Sequence, residues 1–191
     1  MAADNLARIQ LARAARRFGR LVLMTDDARL SDPVAAARRL PRGSLIVVRA
    51  RDEAKRARLA LSLKPITRSR GLTLLIAGDA ALTARIGADG LHLPEVRACE
   101  ASHWRARHSN WIITAAAHSL RACRGADAVF LSPVFATGSH PDAATLGALR
   151  ARIIARLSPV PVYALGGIDA KSVRRLRDGA FAGVAAVGAL M

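Results

Sequence analysis

Residues 161–168 read Pro161–Val162–Tyr163–Ala164–Leu165–Gly166–Gly167–Ile168, and the fold is decided by how this stretch is read. Val162–Leu165 is a continuous apolar run, closed by a proline on one side and two glycines on the other. A strand with one wet face alternates apolar and polar residues, whereas an unbroken run fits a strand buried on both faces, as in a parallel sheet. Working outward, the same kind of run recurs at Leu21–Met24, Leu45–Val48, Leu72–Ile76, Gly90–Leu93, Trp111–Ala115, Ala128–Leu131 and Gly183–Val187, which makes eight strands in all. Between them lie Ala/Arg/Leu-rich segments of helical character at Pro33–Leu40, Asp52–Lys64, Ala80–Ile86, Ala98–Arg107, Leu120–Arg124, Ala144–Leu157 and Ala170–Asp178. Strand and helix alternate throughout. An open doubly wound sheet has fewer strands and a Gly-rich turn after the first, where this chain has Thr25–Asp26–Asp27. The predicted architecture is therefore α/β, a single (β/α)8 TIM barrel over residues 21–191 with a truncated last helix. An extra helix over residues 1–20 is expected to pack on that barrel, with Asp4 and Asn5 as caps and Leu11, Ala15 and Phe18 on one face.

Composition narrows the function classes. The chain has 191 residues, 52% hydrophobic and 23% charged, too apolar for a disordered segment and too evenly mixed for a membrane protein. Charges or turn residues break every apolar run well short of the ~18 residues that a spanning helix needs. Arginines scattered through the first twenty residues interrupt what would be the apolar block of a signal peptide. Cys99 and Cys123 are too few and too far apart for a disulfide scaffold or a metal motif, so a cytoplasmic protein with two small buried thiols is expected. Lys plus Arg number 30 against 14 Asp plus Glu, a net charge of +16, which makes a field attractive to phosphates and other anions. The arginines are spread over the predicted helices and aromatics are only 4%, so the stacking platform of a nucleic-acid binder is missing.

In a barrel of this type the site is built from the loops after the strands, with phosphate commonly held after strands seven and eight. Gly166 and Gly167 follow strand seven and Gly188 follows strand eight, leaving backbone N–H groups that an anion can approach. The loop after strand six carries Thr137, Ser139 and His140, and Arg49 and Arg51 follow strand two with fork-shaped donors suited to phosphate. Asp26, Asp27, Asp79 and Glu95 are the carboxylates of the same rim. Among the histidines, His118 and His140 fall in rim loops, His92 sits inside strand four as a satisfied core residue, and His103 and His108 lie on or after a helix near the surface.

Three stretches in register, Gly87–Ala88–Asp89–Gly90–Leu91–His92–Leu93, Ser132–Pro133–Val134–Phe135–Ala136–Thr137 and Pro161–Ile168, resemble the thiamine phosphate synthase and thiazole tautomerase (TenI-like) family. The resemblance runs from strand one through strand eight. It implies a barrel of thiamine biosynthesis that binds a phosphorylated thiazole near Gly166, Gly167 and Gly188. In the synthase a pyrimidine methyl diphosphate loses diphosphate with Mg²⁺ assistance, and the thiazole nitrogen captures the carbocation. On that pattern Arg49, Arg51, Thr137, Ser139 and His140 fall where diphosphate is held.

The chain departs from that pattern at several positions. Ala77–Gly78 stands where the synthase has an Asn-Asp pair, Arg97 where it has a second metal-binding Asp, Val47 for a glutamine, Ala116 for a serine and His140 for a lysine. Three readings follow. A synthase holds Mg²⁺ through the shifted carboxylates Asp79 and Glu95. A metal-independent tautomerase-like isomerase uses His118 or His140 as proton carrier. A non-catalytic paralogue only binds small phosphorylated thiazole or pyrimidine ligands. A homodimer is compatible with each.

Overall fold

The computed structural model describes residues 18–138, 144–176 and 179–187. Eight parallel strands close into a barrel in sequence order: β1 (Leu21–Met24), β2 (Leu45–Val48), β3 (Thr73–Ala77), β4 (Gly90–Leu93), β5 (Ile112–Ala117), β6 (Ala128–Leu131), β7 (Val162–Leu165) and β8 (Gly183–Ala186), with β8 pairing back to β1. The unbroken apolar runs become strands that are almost wholly buried, because one face meets the barrel interior and the other the helical layer.

That layer consists of α1 (Pro33–Arg39), α2 (Glu53–Arg70), α3 (Ala80–Ile86), α4 (Ala101–Arg107) and α5 (Gly147–Leu157), joined by 3-10 turns at Glu95–Glu100, Leu120–Ala122 and Ser172–Leu176. The segment after β5 is thus one 3-10 turn rather than the helix expected over Leu120–Arg124, and the one after β7 is likewise 3-10 in its described part. The helix expected to stop at Lys64 continues to Arg70 with Pro65 inside it. Proline removes one backbone donor and crowds the preceding turn. Burial of Ala60, Leu63, Ile66 and Thr67, the Asp52 cap and the left-handed Gly71 at φ 63° outweigh that penalty. The helix expected over residues 1–20 lies outside the described residues except for its end, where Phe18 is buried in the barrel interior. Cys123 is buried as expected, whereas Cys99 is exposed on the 3-10 turn after β4, where no helical face turns it inward.

Three apolar clusters fill the molecule. One packs β1–β3 against α1–α3 through residues such as Leu40, Ile46, Leu63 and Leu74. A second packs β4–β7 against the later helices through Leu91, Trp111, Ile113, Ala151 and Ile154. The third is the barrel interior, with Val22, Leu45, Leu75, Phe130 and Tyr163.

The N-terminal end of the barrel is shut by close backbone approach. A Cβ on Gly90 would lie 1.9 Å from the Ile112 carbonyl oxygen, and one on Gly183 2.2 Å from that of Arg20, so glycine is required at both positions. The Tyr163 hydroxyl donates to the Gly19 carbonyl at 2.7 Å, and burial pushes this phenol well above its ordinary range. Two aspartates staple adjacent strands in the same way. Asp89 N–H donates to Leu74 O while its Oδ2 accepts from Leu74 N at 2.8 Å, and Asp127 exchanges the same two bonds with Ile113. These aspartates occupy equivalent places in Gly87–Ala88–Asp89–Gly90–Leu91–His92–Leu93 and Gly125–Ala126–Asp127–Ala128–Val129–Phe130–Leu131, a short internal repeat.

Candidate active site at the carboxyl ends of the strands

The C-terminal ends of the strands form a mouth whose floor is apolar. Met24, Val47, Ala77, Leu165 and Val187 belong to or pack on the interior cluster at this level. Among them stands one polar pair: the buried His92 hydrogen-bonds through Nδ1 to Thr114 Oγ1 at 3.0 Å and stacks on Phe130 at 5.0 Å. Burial, helped by the positive charge of Arg49, lowers the His92 pKa to about 3, so the imidazole is neutral at physiological pH. The expected satisfied core histidine is what the fold builds.

Charged groups ring this floor. Thr25 ties the ends of β1 and β2 together, its hydroxyl donating to Arg49 O and accepting from Arg49 N. Asp26 Oδ2 accepts from Arg29 at 2.8 Å and from Arg49 at 3.0 Å, and the Arg29 bond is the main reason its carboxyl titrates far below the usual range. The Arg51 backbone reaches Asp27, while its own side chain is exposed beside the same rim. Arg49 and Arg51 are thus placed together at the mouth.

Asp79 is fully engaged: Oδ1 caps α3 through Leu82 N at 2.8 Å and Oδ2 takes Arg56 Nη2 at 3.1 Å. Glu95 contacts the ring nitrogen Nδ1 of His118 across the ends of β4 and β5. Arg97 makes a two-pronged bond to Glu100, at 2.7 and 2.8 Å, and a third to the Gly78 carbonyl at 3.2 Å. Trp104 donates to the same Glu100, and the Arg97 bond above all holds that carboxyl down, to about 2. Gly78 itself is left-handed at φ 70°, with open space where a Cβ would sit.

The residues present do not fit a magnesium ion. One of the two candidate carboxylates is spent on a helix cap and a guanidinium, and the other is against an imidazole. Among the described residues no three His, Cys, Asp or Glu side chains converge as ligands would.

Gly166 and Gly167 close the opposite side, both left-handed at φ 92° and 63°. Their backbone lies tight under the β6 loop: Val134 N donates to Leu165 O, Phe135 N to Gly166 O, and a Cβ on Gly167 would come within 2.4 Å of Ala136 O. The glycines are needed for this contact, whatever they also offer to a ligand. Thr137 is half-buried on the same loop. Ser139, His140 and Gly188 lie outside the described residues. A cleft of about 600 Å³ lined by Asp89, His108, Asn110 and Trp111 opens at the other end of the barrel, and one of about 380 Å³ flanks the rim beside Arg56, Gly78 and Asp79.

Three residues of this rim were not legible as partners. Arg56, Arg97 and Glu100 sit on predicted helical or connecting segments, and no local pattern announces that the first two reach the ends of β3. Among the described residues no helix is long and apolar enough to cross a membrane.

Comparison with known proteins agrees with this architecture. The Thiamine monophosphate synthase family profile matches residues 21–190. A thiamine-phosphate synthase of Herpetosiphon aurantiacus is 32% identical over 183 residues, covering 90% of this chain and 88% of that protein. A protein of Aquifex aeolicus is 34% identical over 122 residues, covering 61% of this chain and 65% of its own length. In structure, thiamine phosphate pyrophosphorylase from Pyrococcus furiosus superposes with a TM-score of 0.74 at 24% identity, over 90% of this chain and 87% of that one, which establishes the shared barrel. With its eight strands, its rim loops and a profile match spanning all of them, the chain belongs to the thiamine monophosphate synthase family.

Proposed function

We propose that this protein acts in thiamine biosynthesis on a phosphorylated thiazole bound at the C-terminal mouth, joining it to a pyrimidine methyl diphosphate with loss of diphosphate. The observation that carries the reading is the family match across all eight strands, at residues 21–190. The apolar floor of Met24, Val47, Ala77 and Leu165 suits flat heteroaromatic rings, and the positive rim suits their phosphates.

In such a reaction the C–O bond to diphosphate breaks with its electron pair leaving on oxygen, and the thiazole nitrogen lone pair forms the new C–N bond. What the protein must supply is fixed positive charge for the departing diphosphate and a surface that aligns the two rings. Arg49 and Arg51 are the groups for the first task, with Thr137, Ser139 and His140 on the β6 loop, and Gly166, Gly167 and Gly188 hold the thiazole phosphate. Arg49 is preset for this by Thr25 and Asp26, which fix its backbone and side chain. No step is assigned to magnesium, since Asp79 and Glu95 are otherwise engaged. As part of the same reading the protein works in the cytoplasm on small phosphorylated ligands, independently of nucleic acid.

The test is formation of thiamine phosphate by the purified protein given both substrates, with and without Mg²⁺. Product is expected, and Arg49→Ala is expected to reduce turnover by roughly 10²-fold or more, the scale of losing one preorganised charge donor. Absence of product under both conditions would sink the joining reaction. A second reading, isomerisation of a thiazole carboxylate phosphate by proton transfer, is favoured by one specific observation, the contact of His118 with Glu95. A binding-only role predicts that hydroxyethylthiazole phosphate raises the melting temperature while neither reaction proceeds.

A further inference from the structure

The helix α5 (Gly147–Leu157) is apolar on two opposite sides. Its inner face, Ala148, Ala151, Ile154 and Ala155, is buried in the cluster that covers β4–β7. Its outer face carries Leu149 at 67%, Ile153 at 49% and Leu157 at 63% exposure. Single exposed apolar side chains are ordinary on any protein. Here, of the five large ones exposed among the described residues, three fall on this one helix. At 3.6 residues per turn they form one row about 80° wide, centred about 170° from the buried face. The exposed Arg156 and Arg150 lie about 20° beyond its two edges.

The neighbours of α5 add charge of the same sign. The helix packs beside the 3-10 turns Leu120–Ala122 and Ser172–Leu176, which follow the strands on either side of β6. They bring the exposed Arg121 and Arg124 to one flank and the exposed Arg174 to the other. Residues 120–124, 147–157 and 172–176 contain no Asp or Glu. Among the described residues, the carboxylates that border these segments in sequence are already engaged: Asp127 by Ile113 N and Arg105, Asp169 by the backbone N–H groups of Lys171 and Ser172.

This chemistry selects the occupant. A second copy of the chain seated here would set arginines against arginines. A specific protein interface is anchored by aromatic side chains and directional hydrogen bonds, whereas α5 consists only of Gly, Ala, Leu, Ile and Arg. An aliphatic row edged by guanidinium groups needs hydrocarbon beneath it and negative charge beside it, and the surface of an anionic bilayer presents both. The helix has 11 residues, too few to cross a bilayer, so it would lie along the interface.

We propose that the outer face of α5 is a docking surface for an anionic lipid bilayer, with Leu149, Ile153 and Leu157 entering the boundary between headgroups and acyl chains, and Arg121, Arg150, Arg156 and Arg174 on the lipid phosphates. The attachment is peripheral. Because α5 runs alongside the barrel rather than across its mouth, docking leaves the C-terminal loops open to soluble ligands. It is independent of the reaction proposed above.

The test is flotation of the full-length protein with phosphatidylcholine vesicles containing roughly 30% phosphatidylglycerol, set against phosphatidylcholine alone. Binding is expected on the anionic vesicles and should be at least roughly tenfold weaker on the neutral ones. Leu149→Ser plus Leu157→Ser, and separately Arg150→Glu, are each expected to weaken it by roughly tenfold. Arg58→Glu makes the same change in net charge on α2, at the opposite side of the barrel, and is expected to weaken it by less than about twofold. All these side chains are exposed, so the variants should keep the wild-type melting temperature. Should the serine variant unfold, a polarity-sensitive fluorophore on Ile153→Cys, with the exposed Cys99 replaced by Ser, gives an independent reading: its emission should shift to the blue with anionic vesicles only. Absence of binding to anionic vesicles overturns the proposal. Equal weakening by Arg58→Glu and Arg150→Glu, with none from the serines, would show that the net charge of +16 alone attracts lipid, and overturns it too. A fluorophore that ignores vesicles but shifts on concentrating the protein, or on adding polyglutamate, would reassign the face to a second copy or to an acidic protein.

Discussion

The two ends of the barrel use their polar side chains differently. At the N-terminal end, Asp89, Asp127 and Tyr163 are bonded to backbone groups of other segments, Asp127 taking Arg105 as a further partner, and Gly90 and Gly183 let backbones approach to distances no side chain permits. At the C-terminal end, Asp26, Asp79, Glu95 and Glu100 are bonded chiefly to other side chains: guanidinium groups, an imidazole, an indole. Backbone partners are present whatever the neighbouring residue is, so these bonds depend on the base's own residues far more than on substitutions around them. Side-chain partners come and go by substitution. A rim built this way can exchange one charged side chain for another without disturbing the barrel beneath.

The contrast is most easily broken at the base. Gly90→Ala is expected to cost more than ~4 kcal/mol or to prevent folding, because the added Cβ meets a neighbouring strand's carbonyl and neither strand can withdraw. Denaturant unfolding of the variant checks this, and a loss below ~1 kcal/mol would show the base to be as yielding as the rim.

His92 sharpens the comparison from within, since it lies beneath the mouth but is bonded like a core residue. Its folded pKa, about 3, is below the ordinary 6.5, so protons bind the unfolded chain more readily than the folded one. The corresponding stability is fully present above pH 6.5 and declines as pH falls from there toward 3. Between pH 6.5 and roughly pH 5 it should amount to about 2 kcal/mol. Unfolding midpoints of wild type and His92→Gln over this range should converge as pH drops. Parallel curves would mean that His92 takes up a proton as readily in the fold as in the unfolded chain.

Tyr163→Phe removes one buried hydrogen bond at the base and should lower stability by ~1–2 kcal/mol, read from the urea midpoint. The smallest effect is expected at the rim. The Asp26 carboxyl titrates below its ordinary 3.8, so its contribution is present above that pH and is lost as pH falls further. Asp26→Asn should therefore differ from wild type slightly near pH 7, and the difference should vanish in acid. Its larger consequence is expected in catalysis, through a less well-fixed Arg49.

The strands were legible because each is a short apolar run that both faces of a parallel sheet require, and β1, β2, β4, β6 and β7 begin and end where those runs do. The helices were less so. Pro65 signals a stop that tertiary burial overrides, and the Arg-rich segments after β5 and β7 are too short on apolar residues to complete helical faces. At the site, the place of Arg49 and Arg51 just beyond β2, and of Gly166 and Gly167 just beyond β7, follows from strand order alone. Asp79 as a helix cap is a local signal three residues from its partner, but its bond to Arg56 spans 23 residues, as does that of Glu95 to His118. Such contacts depend on the register between neighbouring strands, which no local pattern encodes. The likeness between 87–93 and 125–131 is too short to stand out as an internal repeat in the sequence, and only the shared stapling role of Asp89 and Asp127 gives it meaning.

The helical layer has its own division. Its packing is not continuous around the barrel: one apolar cluster serves β1–β3 with α1–α3, another serves β4–β7 with α4 and α5, and the two are joined by the interior cluster and by Ala80 at the start of α3. The molecule is thus two arcs sharing a spine, with a seam at the β3–β4 ladder. Opening at that seam breaks hydrogen bonds, interior contacts and the packing of Ala80 and Ala88, and leaves the rest of each outer cluster in place. Amide protons should accordingly fall into two exchange families, one per arc. Chains severed at the exposed Gly87, just ahead of the buried Ala88, and supplied as two pieces have the contacts needed to find each other again.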